Sequence, residues 1–258
     1  MKSVISFILL TFAISWSAWG AAIATGSDAA GWRIAGTFGP TVAALILCGR
    51  AGRAETGRLL SGFLRLRAPA HIYAFALFST AAVGFAALAI DGLLGGSPDI
   101  ALSARPAMIP VMFAWVLLFS VAGEETGWRG YLLARLLERT GPVRAGLAVG
   151  FAWGAWHLPL WLLPGNFHAA IPPAPFLVQI LAMSILHTWL WSRSGDSLFI
   201  AHLFHAASNT TLGILPLLPG EGADSPRPLA IAAGLAAILA CIVALRLARG
   251  TGTTGRAA

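Results

Sequence analysis

Two carboxylates stand side by side at Glu124 and Glu125, in a chain of 258 residues with only ten acidic side chains. They follow at once on an apolar run that begins at Ala107. An ionisable side chain in lipid costs roughly 2.5–3.5 kcal/mol on insertion scales, so such groups face a polar interior and hold a partner. Arg129, four residues after Glu125, lies on the same helical face and supplies that partner. Neighbours on a helix point about 100° apart. Pairing Glu125 with Arg129 therefore leaves Glu124 free to face a cavity.

Two later apolar runs carry the other candidates. In residues 151–161, His157 is the polar side chain able to do acid–base work, and Trp153 stands one helical turn before it. The plainer reading of His157 is a histidine bonded to a neighbouring backbone carbonyl. In residues 197–209, helical spacing puts His202, His205 and Asn209 on one stripe, at offsets of three and four. A histidine with an amide one turn later reads as a paired hydrogen-bonding site inside a bundle, and Ala206, Ala207 and Ser208 allow a neighbouring helix to come close. His187, near Trp189 and Trp191, reads as structural or cavity-lining, and His71 and His168 are assigned no chemistry.

A glutamate with two histidines can activate water, the carboxylate as general base and a histidine holding the water or serving as acid. The same three, Glu124, His157 and His205, can bind a divalent metal such as zinc. No His-Glu-x-x-His spacing accompanies them. An amide such as Asn209 can donate to the oxyanion of a tetrahedral intermediate. The residues leave metal-free and metal-assisted chemistry both open.

The elements that must position these groups are membrane helices. The apolar fraction is 57% and the charged fraction 10%, against about 25% charged in an ordinary soluble domain, and the mean hydropathy is +0.78. Apolar runs at 4–24, 32–49, 71–95, 107–123, 143–163, 174–192, 197–217 and 228–248 predict an all-α polytopic bundle of about eight transmembrane helices with an embedded polar active site. One transmembrane domain over 1–248 is expected, with its motif-bearing core at 107–215 and a disordered cytoplasmic tail at 249–258. The first run resembles a signal peptide, but at about 21 residues it exceeds the usual 7–15 residue signal core, so it is read as a retained span. With the N-terminus inside, 14 of the 17 basic residues fall in cytoplasmic segments, as the positive-inside rule asks. That places both termini in the cytoplasm and the Glu124–Glu125 pair near the cytoplasmic face. The charge of +7 is then a topology signal, and no nucleic-acid partner is implied. The segments 50–67 and 131–139 mix leucine with arginine and suit the inner interface, where anionic lipid is the expected partner. Cys48 and Cys241 show no metal-ligand spacing and read as packing residues.

Taken in order on separate runs, Glu-Glu-x-x-x-Arg at 124–129, aromatic-x-x-x-His at 153–157 and His-x-x-x-Asn at 205–209 resemble the three motifs of the CPBP family of intramembrane proteases. That family comprises type II CAAX prenyl proteases and bacterial relatives linked to bacteriocin processing and self-immunity. The resemblance implies an intramembrane endopeptidase with its site inside the bundle, open to the cytoplasmic side, and acting on a membrane-associated protein or peptide. It implies Glu124 as the base that activates water with His157, and His205 and Asn209 as site lining and oxyanion support. Glu125 and Arg129 would be the neighbouring structural and electrostatic support. Trp153 departs from the family's usual phenylalanine, and His202 is a second polar wall or spare ligand. The family convention also implies a metalloprotease label, and the lipid bilayer of a bacterial inner membrane as the setting.

Two other classes compete. A non-catalytic immunity or scaffold protein could use the polar cluster for helix packing. A small transporter fits poorly, because no paired broken helices mark a midplane site.

Overall fold

The computed structural model describes residues 2–26, 30–96, 105–119, 121–219, 223 and 225–250, and among them the fold is helical throughout. In order, the helices are α1 (Lys2–Thr25), α2 (Ala30–Thr37), α3 (Gly39–Ala51), α4 (Arg53–Ser61), α5 (Ala70–Leu93), α6 (Ile109–Phe119), α7 (Ala134–Leu137), α8 (Pro142–Trp156), α9 (Pro173–Arg193), α10 (Leu198–Ile214) and α11 (Arg227–Gly250). Between α6 and α7 runs a π-helical stretch, Thr126–Leu133.

Among the described residues, five segments are long and apolar enough to cross a membrane: α1, α5, Pro106–Gly123, α9 and α11. A sixth is added if α2 and α3 form one broken span, bent by 46°. The break falls where Pro40, at the start of α3, has no N–H to give and cannot continue a straight helix. Among the described residues, eight full-length spans are not shown. The apolar run at 143–163 yields only the 15 residues of α8, because His157 and the Pro159 turn carry the chain into a short 3-10 segment, Leu158–Trp161. The run at 197–217 yields the 17 residues of α10. At 1.5 Å per residue these helices are about 22 and 26 Å long, short of a hydrocarbon core of about 30 Å. Apolar run length overstates helix length wherever a span ends inside the bundle.

Large apolar side chains such as Leu9, Phe78, Trp115 and Ile238 lie exposed on the outer faces of α1, α5, α6 and α11, as a lipid-facing surface requires. Inside, α9 packs against α8 and α11, α10 against α5 and α6, and α1 against α2 and α3. Of the two cysteines, Cys48 is buried in α3, while Cys241 is exposed on α11. Helix α11 includes Arg249 and Gly250, the first two residues of the tail expected at 249–258, and 251–258 lie outside the described residues.

The stretch 121–133 is drawn into the bundle by small residues. A Cβ at Gly127 would sit 2.5 Å from the Pro40 carbonyl carbon, and one at Gly123 would sit 2.6 Å from the Thr37 oxygen. Backbone meets backbone here, which only glycine permits. Thr41 Oγ1 donates to the Ala122 carbonyl at 2.9 Å, satisfying a group freed by the break after α6. At the far end, Arg135 donates to Glu55 of α4 at 2.6 Å and lies over the Tyr131 ring.

Because the Gly127 contact is with backbone, Gly127→Ala is expected to destabilise the fold by about 1–3 kcal/mol. Gly57→Ala, with nothing within 4 Å of the added Cβ, is the control. Thermal unfolding in detergent, followed by circular dichroism, reads the difference.

Candidate active site

The two adjacent acids face different surroundings. Glu125 is fully buried, and its Oε1 accepts hydrogen bonds from Arg129 at 2.6 Å and from His205 Nδ1 at 2.8 Å. Its Oε2 lies 3.6 Å from His187 Nε2. Glu124 turns the other way, where its Oε2 accepts the Trp153 indole N–H at 2.7 Å. The i,i+4 pairing of Glu125 with Arg129 is thus present, and the π-helical stretch after it holds the motif. Such stretches are rare and recur at functional sites.

Trp153 is more than a bulkier wall. Besides donating to Glu124, its ring lies 4.3 Å from the Arg129 guanidinium and stands edge-on to His205 at 5.1 Å. A phenylalanine in this place would keep the ring and lose the donor. The position where the sequence departs from the usual pattern therefore bonds directly to the candidate base.

His157 caps α8, and its Nδ1 donates to the Trp153 carbonyl at 2.7 Å. A carbonyl only accepts, so the proton sits on Nδ1, and Nε2 keeps its lone pair. The same logic assigns His205, whose Nδ1 serves the Glu125 carboxylate. The backbone bond anticipated for His157 is present, and it fixes the ring's tautomer in a cavity wall.

That cavity holds about 420 Å³, within the range of small-molecule and peptide-segment sites. Glu124, His157, His205 and Asn209 all line it, so the four candidates from three separate runs share one chamber. The remaining wall is largely aromatic and aliphatic, including Trp19, Trp156, Ile171 and Phe176. Glu125 and Arg129 are not in the lining; they lie behind it. His202 is also outside the lining, since its Nδ1 bonds the Leu198 carbonyl at 2.7 Å and its ring packs against Phe63. It does not act as the second polar wall.

Among the described residues, the histidine and acid side chains whose ligand atoms lie within 4.8 Å of one another are Glu125, His187 and His205. This is not the set Glu124, His157 and His205 expected for a metal. By type, one glutamate and two histidines suit zinc. By surroundings they do not fit a catalytic ion: the Arg129 guanidinium already neutralises the carboxylate at 2.6 Å. Glu125 and His187 are also fully buried away from the chamber. The cluster is a buried polar floor.

Sequence reasoning did not find His187 as a member of that floor. The signal was its place on α9, where Phe176, Gln179, Ile180 and Met183 line the cavity and His187 continues their stripe at i+4. His168 was likewise assigned nothing, yet it lines the chamber with its Nδ1 2.7 Å from Asn166 Oδ1 and its ring 5.6 Å from that of His157. It lies in the connection between α8 and α9, and burial lowers its imidazole to about 4.

Part of the chain is similar to known proteins. Residues 106–211 match the profile of the Rce1-like type II CAAX prenyl endopeptidases. CAAX prenyl protease 2 of Methanococcus maripaludis is 30% identical over 115 residues, which is 42% of this chain and 42% of that protein. The match therefore spans less than half the length of that relative. The profile match runs from the start of the α6 segment to α10 and contains every residue of the chamber's polar wall named as a candidate. Through residues 106–211, the chain is thus similar to the Rce1-like type II CAAX prenyl endopeptidases.

Proposed function

We propose that this chain hydrolyses a peptide bond of a membrane-associated protein or peptide inside the bundle, without a metal. The supporting observation is that Glu124, His157, His205 and Asn209 line one chamber of about 420 Å³. Glu124 takes a proton from a water held with His157, and the resulting hydroxide adds to the carbonyl carbon. The oxyanion so formed receives the Asn209 amide N–H, while His205, whose Nδ1 proton serves Glu125, lines the site. The C–N bond then breaks, and the leaving amine takes back the proton that Glu124 holds. Glu125 and Arg129 keep His205 in place, and the Trp153 N–H orients Glu124.

The name of the Methanococcus relative points to prenylated protein ends as a substrate class, and the aromatic wall of the chamber suits an apolar or lipidated segment. The arginine distribution supports a chain with both termini in the cytoplasm of a bacterial inner membrane. The rival reading, a scaffold that uses its polar cluster for packing, draws on the full burial of Glu125, Arg129 and His187. It gives no account of Glu124 facing the chamber.

Proteoliposomes with a prenylated, quenched-fluorescence peptide separate the two. Glu124→Gln is expected to lose roughly 10²–10⁴-fold in cleavage with its unfolding temperature unchanged; full activity in this variant would remove the mechanism. Trp153→Phe should retain the fold and lose cleavage less severely, by a factor of about ten. Arg129→Met should act on the fold instead, since it leaves the Glu125 charge buried and unpaired at a cost of about 3–5 kcal/mol.

His168 sets a pH dependence. Its folded pKa of about 4 lies below the ordinary value of about 6.5, so the unfolded chain binds the extra proton first. Its contribution is complete above pH 6.5 and is lost as pH falls toward 4, amounting to about 3 kcal/mol. Unfolding measured between pH 7.5 and 4.5 should show this loss in the wild type and a smaller one in His168→Gln.

A further inference from the structure

The connections between helices gather at two ends of the bundle, and side-chain contacts fix which belong together. At one end, Arg33 donates to the Gly165 carbonyl at 3.5 Å, and Arg227 at the start of α11 pairs with Asp91 at the end of α5. At the other, Arg135 pairs with Glu55 at 2.6 Å, and Arg65 lies 3.6 Å from Asp196 in the turn between α9 and α10. The charge is divided unequally between them. Arg50, Arg53, Arg58, Arg67, Arg144 and Arg193 join Arg65 and Arg135 at the second end, whereas the first end has Arg33, Arg105 and Arg227.

The chamber runs from its floor at Glu124 and His205 toward the arginine-poor end. Its outer lining comes from Trp19 near the end of α1, Phe167 and His168 between α8 and α9, Leu218 after α10 and Leu229 in the first turn of α11. No lining residue comes from the connections 50–69, 134–141 or 194–197 at the arginine-rich end. On the side of the floor toward that end lie the fully buried Arg129, Trp128, Leu132 and Leu133.

A cytoplasmic mouth, implied by the family resemblance, and a cytoplasmic arginine-rich face cannot both hold for this geometry. Arginine excess in short loops is the term that sets orientation. We infer that the chamber opens on the non-cytoplasmic face, so that its substrate is an apolar polypeptide segment presented from outside or from the outer leaflet. The orientation stands on charge and cavity alone; the substrate clause rests on the hydrolase reading above.

Single cysteines test it in the full-length chain, in a Cys48→Ser, Cys241→Ser background expressed in a bacterial membrane. Phe167→Cys probes the mouth, where Phe167 is 45% exposed. Leu94→Cys probes the same end outside the chamber, and Leu66→Cys the arginine-rich end, at 60% and 51% exposure. With a membrane-impermeant maleimide, Phe167→Cys and Leu94→Cys should label in spheroplasts, and Leu66→Cys only in inverted vesicles. Labelling of the first two in inverted vesicles, or of all three from both sides, overturns the inference. These readouts do not depend on cleavage, so they fail separately from the Glu124→Gln test.

Discussion

The Glu125 carboxylate is the point on which the site depends. It is fully buried, and on it converge the guanidinium of Arg129 from its own segment, the imidazole of His205 from α10 and that of His187 from α9. A lone carboxylate at this depth would be very costly. With a guanidinium at 2.6 Å and an imidazole at 2.8 Å, the charge is compensated and the three elements are tied at one height. The neighbouring acid is released from that duty. Because consecutive side chains diverge, Glu124 faces the chamber, with the Trp153 indole on its carboxylate. Two adjacent, chemically identical residues thus take different surroundings, one held in an ion pair and one facing the chamber.

Much of this was legible in the spacing. The four-residue interval from Glu125 to Arg129 fixed the ion pair, and the four-residue interval from His205 to Asn209 fixed two groups on one cavity wall. Residues that act through a neighbour's backbone or through a different helix were less legible. His187 has no acid, base or amide one turn away in sequence, so nothing local distinguished it from a packed histidine. The Trp153 donor was hidden because an aromatic at that position reads as bulk. Its N–H matters only once Glu124 has been placed 2.7 Å away. His202, by contrast, shared the stripe of His205 and Asn209, yet lies against Phe63, because a stripe three and four residues wide spans more of the helix face than one cavity does.

The helical class and most of the span positions followed from hydropathy, but the count of spans did not. Apolar residues are needed both against lipid and in a buried core, so a run such as 143–163 looks the same whether its helix crosses fully or ends at Trp156. The helices that stop short line the chamber. His157 caps α8 at its end, and α10 holds His205 near its middle and Asn209 in its second half. Ending inside the bundle leaves room for a chamber, and the 3-10 and loop segments beyond α8 supply its rim. The direction in which that chamber opens was invisible in the sequence, because it depends on which end of each helix lines it.

The most direct measurement of the central claim is a structure of the chain with a peptidyl phosphonate, an analogue of the tetrahedral intermediate. One phosphonyl oxygen is expected within hydrogen-bond reach of the Asn209 amide and the other facing Glu124 and His157, with Glu125 still bonded to Arg129. A phosphonate seated elsewhere in the chamber, or bound by Glu125 in place of Glu124, would contradict the division of labour between the two acids.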